Sequence, residues 1–211
     1  MKYKYILLDW DGNLAQTLDI WLDACRVALE KRNVYKSDEE IAASFGKFTD
    51  FMKTWGITDI EQTITDADIE AKKRLPQVEL YPGALEVLQA LHNAGHKLAL
   101  ITTSSRENVE HLLESHSIDK FFDVIVSGDE VEHHKPHPEP LEKGLRMLRG
   151  SKDLAIMIGD TEKDIGAANN LGINSILFYP AEHKKFYNFE ELKKHKPTYI
   201  VQDFREILDI V

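Results

Sequence analysis

One cysteine, Cys25, in 211 residues excludes any disulfide within the chain and fits a reducing compartment. No apolar stretch approaches the roughly 18 residues that a membrane span needs. The short run Ile6-Leu7-Leu8 is cut off by Asp9, which also argues against a secretory signal. These scarcities predict a cytoplasmic protein. Basic residues are in deficit, 26 against 36 acidic, for a net charge of −10. A nucleic acid polymer or an anionic membrane would be repelled over most of such a surface. A small phosphorylated molecule is not excluded, because a bound metal and a few local cations override the global sign. Oligomeric state leaves no mark on the sequence.

What is present reads as an ordinary globular chain, 43% hydrophobic and 29% charged. Short apolar runs without alternation recur at Tyr5 to Leu8, Leu98 to Thr102, Val124 to Val126, Ala155 to Ile158 and Ser175 to Phe178. A weaker one lies at Thr198 to Val201. Such runs predict strands buried on both faces of a parallel sheet. Amphipathic segments separate them. Ala84 to Ala94 ends at Gly95, a helix-stop signal. Ser104 and Glu107 have capping-box spacing, and Pro138 stands where a first helical residue belongs. The alternation predicts an α/β fold with a doubly wound parallel sheet.

Residues 15–81 break the alternation. Ile20, Ala24, Val27 and Ala28 predict one helix, and Ser37 with Glu40 caps a second. Phe48, Phe51, Met52 and Trp55 follow at helical spacing, and a further helix is predicted from Asp66 to Leu75. The simplest organisation is an α/β core domain of residues 1–14 plus 82–211 with an all-helical insertion at 15–81. Loops near Ala15 to Thr17 and Tyr81 to Gly83 are its predicted hinges.

Four polar elements fall at strand ends: Asp9 with Asp11, Thr102 with Thr103, Lys135, and Asp160 with Asp164. In an open parallel sheet the carboxyl ends of neighbouring strands share one crevice, so these residues can converge. Carboxylates crowded there would repel by roughly 4 kcal/mol per pair at about 4 Å and an effective dielectric of about 20. A hard divalent cation relieves that repulsion, and magnesium suits carboxylate and phosphate oxygens. Lys135 and a threonine hydroxyl would hold the remaining phosphate oxygens. Asp9 and Asp11, two apart on extended chain, point to the same side. One can attack phosphorus while the other reaches the leaving oxygen, and a carboxylate nucleophile splits the displacement into two steps through an aspartyl-phosphate.

The set Asp9-Trp10-Asp11-Gly12-Asn13-Leu14, Ile101-Thr102-Thr103, Lys135-Pro136 and Gly159-Asp160-Thr161-Glu162-Lys163-Asp164 resembles the haloacid dehalogenase superfamily of phosphohydrolases, over essentially the whole chain. The helical insertion looks like that superfamily's C1-type cap, as in phosphoglycolate phosphatases and β-phosphoglucomutases. The resemblance implies Asp9 as nucleophile and magnesium ligand. It implies Asp11 as proton donor and later base, its backbone carbonyl on the metal. Thr102 and Lys135 would bind phosphate with the Thr103 backbone, and Asp160 and Asp164 would complete the metal site. Gly46-Lys47 falls where such caps place a specificity loop, which makes Lys47 a candidate substrate contact, a solvated lysine being the plainer reading. Asn13 stands where the family usually has Thr, and Thr103 where Asn is common.

Plainer readings compete elsewhere. His133, His134 and His137 tempt a transition-metal reading but are more simply a solvated loop. Trp21, Phe51 and Trp55 are expected to pack the cap's own core. Asp11 argues against a dehalogenase or a phosphonatase, whose family members lack that aspartate. The expected function is magnesium-dependent hydrolysis of a small phosphate ester. A β-phosphoglucomutase-like transfer between sugar hydroxyls and a catalytically silent binding or regulatory protein are the alternatives.

Overall fold

Six aliphatic runs pair into one sheet in the computed structural model, which describes residues 2–45 and 47–211. They are β1 (Tyr5–Leu8), β2 (Lys97–Ile101), β3 (Val124–Val126), β4 (Ala155–Gly159), β5 (Asn174–Phe178) and β6 (Tyr199–Val201). Their order is β3-β2-β1-β4-β5-β6, and every pairing is parallel. Continuous apolar strands arise because both faces are covered. Ile6, Leu8, Leu100 and Ile158 pack on one face with Val87 and Leu88 of α5 (Ala84–Asn93) and Val109 and Leu113 of α6 (Arg106–Ser115). Leu7, Ala99 and Met157 pack on the other with Leu141 and Leu145 of α7 (Glu139–Met147) and Ala167, Ala168 and Leu171 of α8 (Glu162–Leu171). The doubly wound expectation is met. Truncating Leu7 to Ala in such a core costs about 2–5 kcal/mol.

Strand order reverses at β1, which lies between β2 and β4. Leu8 is in register with Leu100 and with Ile158, so the chain leaves all three strands at one level. A crevice at that switch point is where open α/β sheets bind ligands.

Between β1 and β2 come α1 (Leu18–Glu30), α2 (Asp38–Ala43), α3 (Phe48–Thr54) and α4 (Ile60–Lys72). Ser37 and Glu40 form the anticipated capping box of α2. The fourth helix begins at Ile60 rather than Asp66. Its buried stripe is Thr63, Ala67 and Ala71, small residues that a search for large apolar periodicity passes over. Arg32, in the turn after α1, holds Asp59 and Asp66 by ion pairs of 2.8 Å each. Chain entry and exit run side by side. Gln16 N–H donates to the Glu79 carbonyl at 2.9 Å, Tyr81 N–H donates to that of Leu14 at 2.9 Å, and Ala15 bridges Leu80. The N-cap of α6 is Ser105, not Ser104, and its hydroxyl caps no backbone N–H.

Candidate active site

Beyond β1 the pairing continues for one residue, Asp9 N–H donating to the Ile158 carbonyl at 3.0 Å. The chain then turns sharply: Leu14 and Ala15 N–H groups both donate to the Trp10 carbonyl, at 3.0 and 3.1 Å. Asn13 ties the turn by donating its amide to the Asp9 carbonyl at 3.0 Å. Gly12 sits at φ +70°, and a Cβ there would lie 2.2 Å from Asp160 Oδ2. Only glycine allows that approach.

Lys135 reaches the same point from the loop before α7. Its ammonium donates to Asp9 Oδ1 at 2.6 Å, Asp164 Oδ1 at 2.6 Å and the Ile101 carbonyl at 3.0 Å. Asp164 also accepts from Thr161 N and Oγ1 at 3.1 and 2.7 Å, as the capping box of α8. Carboxylate oxygens of Asp9, Asp160 and Asp164 lie within 4.8 Å of one another, and all three residues are buried. Burial lifts the Asp9 carboxyl to about 7 against the opposing pull of Lys135, with Asp164 and Asp11 adding to the rise. Burial, then Asp164 and Asp9, push Asp160 well above the usual carboxylate range. Asp9 and Asp164 hold the Lys135 ammonium up although burial works against it.

Asp160 is 0% exposed, and neither of its oxygens has a hydrogen bond of ordinary geometry among the described residues, although the Tyr187 hydroxyl lies near enough to influence it. An unpartnered buried carboxylate is costly, several kcal/mol even after relaxation. A hard cation resolves it, and an all-oxygen donor set of three carboxylates fits magnesium. Tyr187 stands close by: burial and then Asp160 push its phenol well above its ordinary range.

Asp11 lies beside the cluster. Its Oδ1 accepts the Trp21 indole N–H at 2.9 Å and its Oδ2 the Ser104 hydroxyl at 3.3 Å. Trp21 packs against the buried core, as expected, and its N–H edge in addition faces the site. Its ring edge, on α1 one turn past Thr17, was a findable signal only as a polar handle on an otherwise apolar helix face.

These groups open on a cleft of about 590 Å³, lined from the core by Asp9, Asp11, Thr103, Ser104, Lys135 and Asp164. Thr102 is nearly buried, its hydroxyl accepting Ser104 N–H at 3.1 Å, and it does not line the cleft. Lys47 is exposed at the start of α3 and is not brought to the cleft, whereas Phe45 and Phe48 on either side line it. Gly46 lies outside the described residues. Phe51 and Trp55 pack edge to face at 5.5 Å. Ligating atoms of His133, His137 and Glu139 also lie within 4.8 Å of one another, in a separate and more open group. Among the described residues no helix is long and apolar enough to cross a membrane.

Pyrophosphatase PpaX of Bacillus mycoides is 30% identical over 100% of this chain and 98% of its own length. A Bacteroides fragilis structure described as a haloacid dehalogenase-like hydrolase superposes with a TM-score of 0.86 at 26% identity, covering 98% of this chain and all of that one. CbbY of Rhodobacter sphaeroides, solved with phosphate, shares the fold at a TM-score of 0.80 and 22% identity, covering 97% of this chain and 96% of its own. A sequence model of the haloacid dehalogenase-like hydrolases matches residues 6–178. With strand ends, crevice and lineage in agreement, the chain belongs to the haloacid dehalogenase-like hydrolase family.

Proposed function

We propose that the protein is a magnesium-dependent phosphatase working through an aspartyl-phosphate on Asp9. The observation that supports this best is the convergence of Asp9, Lys135, Asp160 and Asp164 in one buried cluster, with Asp11 at its open edge. Asp9 attacks phosphorus, the bond to the leaving oxygen breaks, and that oxygen takes a proton from Asp11. Asp11 then takes a proton from water as its oxygen attacks the phosphoenzyme, the Asp9–phosphorus linkage breaks, and phosphate departs. Lys135 offsets charge on the phosphoryl oxygens, and Thr103 and Ser104 line the cleft beside them after the end of β2. Asp9, Asp160, Asp164 and the Asp11 carbonyl would hold Mg²⁺, which supplies the charge neutralisation that lets a carboxylate approach a phosphate.

Residues 15–81 act in this reading as a cap, and the paired linkers as its hinge. The leaving-group alcohol meets the cap, so the cap selects the substrate. The name of the Bacillus mycoides relative makes inorganic pyrophosphate one compound to include in any panel. Asp9→Asn should lower turnover of a generic aryl phosphate at least about 10³-fold in saturating magnesium. Activity that survives this substitution removes Asp9 as nucleophile. Product analysis with a sugar phosphate separates release of phosphate from its transfer to another hydroxyl.

A further inference from the structure

The cleft has two ends of opposite chemistry. One holds the carboxylates and Lys135. The other is walled by Trp21, Cys25, Phe45, Phe48, Ile64 and Leu112. The Trp21–Asp11 hydrogen bond at 2.9 Å fixes how the two ends meet. The apolar wall starts at the carboxylate that faces the leaving oxygen, and Cys25 continues it one turn along α1. Burial pushes the Cys25 thiol up to about 12, so it offers surface and no charge.

The rest of the lining is ill-suited to a second phosphate. Lys72 faces the cleft from α4, but Asp68 stands four residues before it on the same helix and also lines the cleft. Such a pair is close to neutral. Ile64, one further turn back, turns a large aliphatic side chain to the cleft at 39% exposure. Lys163 is the other cation, and it sits on the core side beside Thr161. A cleft of about 590 Å³ is of a size that holds an organic ligand of many atoms, with apolar walls and a few polar groups. Asn108 and Ser105, at the start of α6, supply those polar groups.

Resting on the phosphatase reading above, we infer that the substrate is a phosphate monoester whose alcohol carries an aromatic or heteroaromatic ring, the ring lying in the apolar end between α1, α4 and the side chains of Phe45 and Phe48. Inorganic pyrophosphate leaves that end empty.

The test compares a nucleoside 5′-monophosphate, ribose 5-phosphate and pyrophosphate with magnesium present. The first two have the same leaving oxygen and differ only in the base. The nucleotide is expected to exceed both others at least tenfold in kcat/KM, the usual scale of ring stacking. Ile64→Asp, a change at a part-exposed position of α4, should bring the nucleotide-to-ribose ratio close to one. Phe48→Ala repeats the test on a different element. Equal rates for nucleotide and ribose phosphate, or a preference for pyrophosphate, overturn the inference while leaving the phosphatase reading intact. Calorimetric binding of the nucleotide to Asp9→Asn, tenfold tighter than ribose 5-phosphate, supports the ring subsite even if the wild type hydrolyses nothing, an outcome that removes the phosphatase reading instead. Equal binding of the two overturns the subsite.

Discussion

Asp11 accepts two hydrogen bonds from groups on different elements, the Trp21 indole of α1 and the Ser104 hydroxyl after β2. A carboxylate bonded at both oxygens is held in place, and in the proposed mechanism Asp11 gains as a proton donor from being pre-aimed. Trp21→Phe keeps the ring packing and deletes the N–H. Turnover should fall about tenfold, the worth of one hydrogen bond to a charged group, with little change in thermal midpoint; steady-state kinetics beside a melting curve read both. An unchanged kcat would make Trp21 a packing residue only. The spacing of Asp9 and Asp11, the place of Asp160 after β4, and the nearness of Lys135 and Asp164 in sequence to later elements of the sheet were legible because chemistry restricts those residue types. Trp21 was not, since an aromatic on a helix face looks the same whether its N–H meets a carboxylate or solvent. Lys47 is exposed, in keeping with the plainer reading of a solvated lysine: a long side chain near a cleft in sequence is one that water can claim.

Among elements, the 3₁₀ turn Ala181–Lys185 after β5 does more than connect. Its His183 is 0% exposed and meets the Tyr81 hydroxyl through Nε2 at 2.8 Å, at the second linker. Lys185 pairs with Asp19 of α1 at 2.5 Å, and the neighbouring Phe186 stacks on Phe45 at 5.8 Å. The turn thus touches the helical insertion from the core side. Burial lowers the His183 imidazole from 6.5 to about 4. Between those values the unfolded chain binds a proton that the folded one refuses. Its contribution to stability is therefore complete above about pH 6.5 and is lost as pH falls toward 4, by up to about 3 kcal/mol. Denaturant titrations at pH 7.5 and 4.5 should show His183→Gln losing less stability over that span than the wild type. Equal losses would mean that the imidazole titrates normally in the fold. No sequence signal marks this turn, because a histidine in a Lys-rich segment reads as solvated until the packing of Tyr81, Phe178 and Tyr179 around it is known.

At the scale of the molecule, the parallel sheet was readable because strands buried on two faces have to be continuously aliphatic, as Ile6-Leu7-Leu8 and Ile156-Met157-Ile158 are. The extent of α4 was not, because small residues at Thr63, Ala67 and Ala71 pack helices closely without raising hydropathy. The carboxylate cluster also has a global consequence. A cation that binds the folded chain and not the unfolded one stabilises it by about 2.7 kcal/mol at a hundredfold excess over its Kd. Magnesium should raise the thermal midpoint of the wild type, chelation should lower it, and Asp160→Asn should remove the difference. A midpoint indifferent to magnesium in the wild type would contradict a metal site at Asp9, Asp160 and Asp164.

The ladder formed by Gln16 with Glu79 and Leu14 with Tyr81 brings the two ends of the insertion to neighbouring positions in space. A segment whose ends touch can be cut out and rejoined by a short turn without displacing what it was inserted into. Residues 16–79 also share buried packing with the sheet through Leu18 and Leu22. In the phosphatase reading, a different helical cassette spliced at Ala15 and Leu80 would have to re-cover that surface before it brought its own choice of molecule to the carboxylate cluster.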